Sequence, residues 1–277
     1  MTAAAAQPHR RGFVDVAEGQ VHYRTAGEPG ANTPLVMLHS SPASAFVLGP
    51  MIDLFGATRA VYAPDNMGCG DSSPPAVDVP DVAYFADANI RAIDALGIDT
   101  FDLHGMYSGA NHAIEIGLTH PDRVRKLVLD GCLVMPAAAK AGMLANYAPD
   151  IEIDLLGSQF NFAWHFCRDL SVFFPWYTRD AEHRTKRSLP DPHKLHDKTV
   201  EVLKSIETYS KTLRASFGYD AAPRLAQISV PLMVTPDGAN YVPGARVKET
   251  PFYLEPNAAP PEALAACVRE ITDFLDE

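Results

Sequence analysis

Residues 34–38 (PLVML) are apolar without a break, the mark of a strand covered on both faces, and residues 59–63 and 101–103 repeat the pattern. Helical spacing fills the intervals. One stretch covers 45–55, and a second covers 82–96, where Ala86, Ile90, Ile93 and Leu96 recur behind a capping Asp81. A third covers 109–119 and is stopped by His120-Pro121, after which a strand is expected over 125–129. Strand–helix alternation of this kind commits a chain to an α/β fold, with a mostly parallel open sheet and helices on both faces. Ahead of it, residues 13–17 and 20–25 flank Glu18-Gly19 as a hairpin.

The alternation breaks after Asp130-Gly131. Residues 137–225 hold helical patterns but no buried strand, and they are rich in aromatic side chains such as Phe160, Phe162, Trp164, Phe166, Trp176 and Tyr177. Strands then resume at 231–235 and 252–254, and an amphipathic helix over 261–275 closes the chain. The expected organisation is one core from 1–136 and 226–277, with a helical cap from 137–225 inserted between its halves. A length of 277 residues fits that single domain with an insertion.

Composition narrows the partners. The 34 acidic residues outnumber the 23 basic ones, and the formal charge of -11 opposes binding to phosphate backbones or anionic lipid. Neither nucleic acid nor a membrane is expected as a partner; a small molecule is, and a homodimer stays open. The four cysteines show no C-x-x-C spacing, so reduced thiols are expected and neither a disulfide framework nor a thiolate zinc site is. Asp191, His193 and His196 lack a convergent further ligand, so no metal site is expected. No G-x-G-x-x-G motif is present and no cofactor is implied. The start lacks the apolar core of a signal peptide, and the expected location is cytoplasmic.

Open parallel sheets bind ligands at the carboxyl ends of their strands, so the loops after strands carry the chemistry. Gly105-Met106-Tyr107-Ser108-Gly109 lies between a strand and a helix, with two glycines spaced as in a nucleophile elbow. At this point the chain resembles the α/β-hydrolase superfamily, of the capped type. The resemblance takes in the strand ending at His39 before Pro42, Pro64-Asp65 followed by Gly68 and Gly70, the elbow, His120-Pro121-Asp122-Arg123-Val124, and Val230-Pro231. It implies the α/β-hydrolase fold, a helical cap over the pocket, and a nucleophile at the elbow served by an acid and a histidine further along.

The chain departs from that pattern at each of the three catalytic positions. Tyr107 stands at the nucleophile position and Ser108 comes one residue late; Asn240 occupies the acid's place, with Asp237 slightly early. The expected histidine after the last strand is missing, because the ten histidines end at His196. A Ser-His-Asp relay in the family's chain order cannot be assembled.

A phenol with its usual pKa near 10 costs about 4 kcal/mol to ionise at pH 7, and a helix N-terminus returns only about 0.3 to 2 kcal/mol of that. A neutral Tyr107 hydroxyl, by contrast, donates a hydrogen bond to a carbonyl without ionising. The backbone N–H groups of Ser41 and Ser108 are the expected oxyanion donors. His39, at the end of a buried strand, and His165, in the cap, are the candidate imidazoles, and Asp130 is a carboxylate that could orient one of them. Trp164, Arg168 and Trp176 are candidate substrate contacts for an apolar or aromatic ligand. His104 reads as a packed core residue, and Asp65 as a turn former.

Three functions follow from this set. The first is a cofactor-independent enzyme performing acid–base chemistry on a small apolar or aromatic carbonyl compound, by hydrolysis, carbon–carbon cleavage or decarboxylation. The second is a ligand-binding protein that kept the pocket and lost the relay. The third is an unconventional serine hydrolase using Ser108.

Overall fold

The computed structural model describes residues 8–132, 134–251, 256 and 259–277. Strands β1 (Arg10–Val16) and β2 (Gly19–Ala26) form the expected antiparallel hairpin about Glu18. The strands β3 (Leu35–Leu38), β4 (Val61–Pro64), β5 (Phe101–Met106), β6 (Val124–Asp130), β7 (Leu232–Val234) and β8 (Arg246–Val247) follow, and all eight join one sheet in the order β1-β2-β4-β3-β5-β6-β7-β8. From β4 to β8 every neighbouring pair is parallel.

The unbroken apolar run at β3 has a direct cause. Leu35 and Met37 point into one core with Met51, Ile52 and Phe55, whereas Val36 and Leu38 point into the other with Ile90, Ile93 and Ile114. A strand buried on both faces has no position for a polar residue. The first layer is made by α1 (Gly49–Phe55), which continues a 3-10 turn at Ala45–Leu48, and by the closing helix α10 (Pro261–Asp276). The opposite layer is made by α2 (Val82–Ala95), whose N-cap Asp81 accepts the Tyr84 N–H, and by α3 (Ser108–Thr119).

Between β6 and β7 the described residues form five helices: α4 (Ala137–Asn146), α5 (Ser158–Leu170), α6 (Pro192–Lys204), α7 (Tyr209–Gly218) and α8 (Ala221–Leu225). They enclose their own apolar cluster, centred on Tyr147, Phe166, Trp176 and Tyr209. This insertion is fastened to the core by a polar seam. The Asn111 amide donates to Ser216 Oγ at 2.8 Å, Lys204 Nζ pairs with Asp71 at 3.0 Å, Ser44 donates to Glu201, and Thr208 donates to the Gly68 carbonyl. After β7, the short helix α9 (Pro236–Ala239) carries Asp237 in its first turn. The edge strand β8 carries no apolar run and was not anticipated; the strand expected at 252–254 falls outside the described residues. No helix is long and apolar enough to cross a membrane among the described residues.

Candidate active site

Tyr107 sits at the turn between β5 and α3 with φ 52° and ψ -111°, and no other described non-glycine residue has a positive φ. The two flanking glycines make that turn possible. A Cβ on Gly105 would lie 2.5 Å from the Gly109 carbonyl oxygen, and one on Gly109 would lie 2.3 Å from the Leu38 carbonyl oxygen, so α3 can approach β3 this closely only without side chains. The apex is therefore Tyr107, in the register the glycines predicted. Its backbone N–H donates to the Asp130 carbonyl at 3.2 Å, tying the elbow to β6.

Above the elbow lies a cavity of about 70 Å³, room for about two waters at their liquid volume or a ligand of similar bulk. The core contributes Ser40 to Ala43, Val47, Tyr107 and Ser108, and the insertion closes the far side with Tyr147, Phe166, Leu170, Phe174, Val202, Leu213 and Phe217. Lys198 and Ser216 add polar groups to that side. Burial raises the Tyr107 phenol above its usual value; Arg187 acts in the other direction, and Asp237 and Asp130 reinforce the rise. The phenol is protonated at neutral pH.

The corner expected to hold an oxyanion has its Ser41 N–H engaged within the protein. The Ser41 N–H donates to Ser108 Oγ at 2.6 Å, so a ligand oxygen arriving there takes the place of a hydroxyl. Ser108 itself is buried at the first position of α3.

The other expected site residues lie elsewhere. His39 is fully buried, off the cavity lining, with Nδ1 donating to the Ser40 carbonyl at 3.0 Å and Nε2 accepting the Asn66 N–H at 2.9 Å. Burial lowers its pKa despite the opposing charge of Asp65. A neutral ring with both nitrogens engaged is a fastener between the β3 and β4 loops, which corrects the expectation of an acid–base role. His165 and Trp164 are exposed on the outer face of α5, away from the cavity, because the helical period turns Ala163, Phe166 and Cys167 inward. Arg168 pairs with Asp169 at 2.8 Å, and Trp176 packs inside the insertion with its indole N–H on the Tyr147 carbonyl at 3.3 Å. None of these four lines the cavity.

Asp130 is buried beneath the elbow and orients no imidazole toward the cavity. Its carboxylate accepts from Lys248 Nζ at 2.8 Å and lies 3.5 Å from His104 Nε2. Burial would raise its pKa, but His104 and Lys248 hold it below the usual carboxylate range. Lys248 has no side-chain exposure, and sequence reading gave no sign of it. His104 is the packed core residue expected. Asp65, read as a turn former, is a buried acceptor for Ala45 N–H at 2.7 Å and His22 Nδ1 at 2.8 Å. Asn240 caps the end of α9 and is exposed. Among the described residues no group of three or more His, Cys, Asp or Glu side chains is placed to hold a metal.

Comparison with known proteins bears on the family and the fold. A 134-residue stretch is 36% identical to 2-hydroxymuconate semialdehyde hydrolase of Pseudomonas putida, covering 47% of this chain and 48% of that protein. Proline iminopeptidase of Heyndrickxia coagulans is 28% identical over 130 residues, 46% of this chain and 45% of the relative. The chain thus spans about half the length of the curated relatives it matches. Among solved structures, the enol-lactonase from Burkholderia xenovorans superposes with a TM-score of 0.70 at 20% identity, over 96% of this chain and 100% of its own. That likeness shows the fold. Residues 33–232 match the family model described as alpha/beta hydrolase fold, and the chain belongs to that family.

Proposed function

We propose that this protein is a cofactor-independent enzyme that polarises the carbonyl of a small apolar or aromatic compound, with the neutral Tyr107 hydroxyl as hydrogen-bond donor. The observation that carries this reading is the placement of Tyr107: a strained apex on the floor of an apolar cavity, buried so that its phenol stays protonated. The Ser41 and Ser108 N–H groups complete the oxyanion corner, and the helical insertion serves as the cap.

Hydrolysis, carbon–carbon cleavage and decarboxylation all pass through a charged carbonyl oxygen. The first two also need a water stripped of its proton, and no histidine is among the described lining residues. The geometry therefore favours steps that create an enolate directly. In a β-keto acid, the bond to the carboxylate breaks, carbon dioxide leaves, and the electron pair becomes the enolate, its oxygen held by Tyr107 and the two N–H groups. The enolate carbon then takes a proton from the phenol, and water returns one to the phenolate, its hydroxide combining with the released carbon dioxide as bicarbonate.

The same missing imidazole favours a second reading, a protein that holds such a ligand without turnover. Native mass spectrometry of the purified protein, followed by turnover assays with small β-keto acids such as acetoacetate, separates the two. Under the first reading, Tyr107→Phe loses about 100- to 1,000-fold in kcat, the cost of removing one oxyanion donor. The rate holds through pH 7–9 and falls only above about 10, because burial raises the phenol and the protonated form is the active one. An unchanged rate in Tyr107→Phe would reduce the ring to a filler. Labelling of Ser108 by a fluorophosphonate would replace both readings with a serine hydrolase.

A further inference from the structure

Apolar side chains reach solvent together on one face of the helical insertion. Ile153, Leu155, Leu156, Phe160 and Trp164 are all exposed, Leu155 at 106% and Leu156 at 88%. The loop presenting the two leucines is well tied: the Asp154 carboxylate accepts from Leu156 N–H at 2.9 Å and Ser158 N–H at 3.1 Å, and Gly157, with φ 74°, turns the chain into α5. Phe160 lies over that turn, since a Cβ on Gly157 would sit 3.3 Å from its ring, and Trp164 follows one helical turn later on the same face. The five side chains form one patch on the order of 500 Å². That is the size of the largest patch on an ordinary monomer, where such a patch is often an interaction site.

Between residues 151 and 167 there is no lysine or arginine, and Glu152 and Asp154 add negative charge. With a net charge of -11, this face is repelled by anionic lipid. We propose that a second copy of this chain covers the patch, α5 packing against its counterpart across a two-fold axis. An isologous contact needs one self-complementary surface, and a continuous apolar face is one. Two such patches bury on the order of 1,000 Å² before any polar rim is counted, the size a specific interface requires. Phe160 and Trp164 are its aromatic anchors. The opposite face of α5 carries Phe166 and Leu170 into the cavity, so the partner braces the cavity wall from behind.

Sedimentation velocity of the full chain from about 1 to 100 µM tests this. Twice the chain mass is expected, and Leu155→Asp/Leu156→Asp should weaken self-association on the order of 100-fold or more, because the interface would then bury unpaired carboxylates. Both side chains already face water, so the variant keeps the wild-type circular dichroism and melting temperature. Val79→Asp, at an exposed apolar site in the core domain, should leave the dimer intact. A wild-type monomer throughout the range, or a double variant that keeps the wild-type mass, overturns the proposal. So does flotation of a monomeric wild type with phosphatidylcholine vesicles that the double variant abolishes, which would assign the patch to lipid.

Discussion

Lys248 and Asp130 form an ion pair with almost no access to water, 118 residues apart in the chain. Each charge is tolerable only because of the other, since removing one partner leaves a bare charge in a dry site. Lys248→Met is expected to cost about 3–5 kcal/mol at pH 8. The pH dependence has a definite sign. In the wild type the Asp130 carboxyl titrates below its usual value, so the pair stabilises the fold at neutral pH and is lost only on strong acidification. Without Lys248 the buried carboxyl keeps His104 but loses the ammonium, so its pKa rises from the wild-type position and protonation relieves the charge as pH falls. Urea midpoints of the variant should therefore lie closer to wild type at pH 5 than at pH 8; the reverse order would deny Asp130 its buried charge. The sequence exposed Asp130 through its place after a strand, but nothing in Arg246-Val247-Lys248 separates a buried lysine from a solvated one. Likewise, the two glycines fixed Tyr107 at the apex, whereas the fate of His39 turned on a single backbone N–H from Asn66 that no local pattern records.

At the scale of elements, the contact between α3 and β3 sets the elbow. Gly109→Ala would press a methyl group against the Leu38 carbonyl 2.3 Å away, and both atoms belong to rigid backbone. The expected loss is about 3 kcal/mol, read as a lower urea midpoint, together with a distorted site. Gly218→Ala is the matched control: at the end of α7 its Cβ meets nothing within 4 Å, so a small gain of about 0.5 kcal/mol is expected. Equal effects at the two positions would mean that close approach does not govern the elbow. The alternating elements were legible because burial on both faces leaves unbroken apolar runs. The site face of the insertion was not, because aromatic composition says how much a helix can bury and not which way it faces. Trp164 and His165 drew notice by type, yet Phe166 and Leu170, inward on the same helix, line the cavity.

For the molecule as a whole, acid stability is set by imidazoles that folding keeps neutral. Burial pushes His112 down to about 3 and also lowers His39, with the ring of His112 stacked on Phe85 and its Nδ1 3.2 Å from Asn66 Oδ1. In the unfolded chain both take up protons below about pH 6.5, so the unfolded state binds more protons and stability falls as pH falls. His112 alone approaches about 1.4 kcal/mol per pH unit between 6.5 and 3, and His39 adds to the upper part of that window. Relief of the excess negative charge acts in the opposite direction but is spread over the surface and screened. Chemical denaturation should show the urea midpoint dropping steadily from pH 6.5 to 4.5; a flat or rising midpoint would show that these rings are charged in the folded state. The seam joining insertion to core has a different consequence. Its amide, hydroxyl and carboxylate partners find equal company in water, but at α8 Ala221 and Leu225 sit in the core's own apolar cluster, so the insertion stays anchored there while the polar contacts can exchange with solvent. Detaching the whole insertion would therefore strip that apolar anchor as well, and should carry the positive heat-capacity change of exposed hydrocarbon.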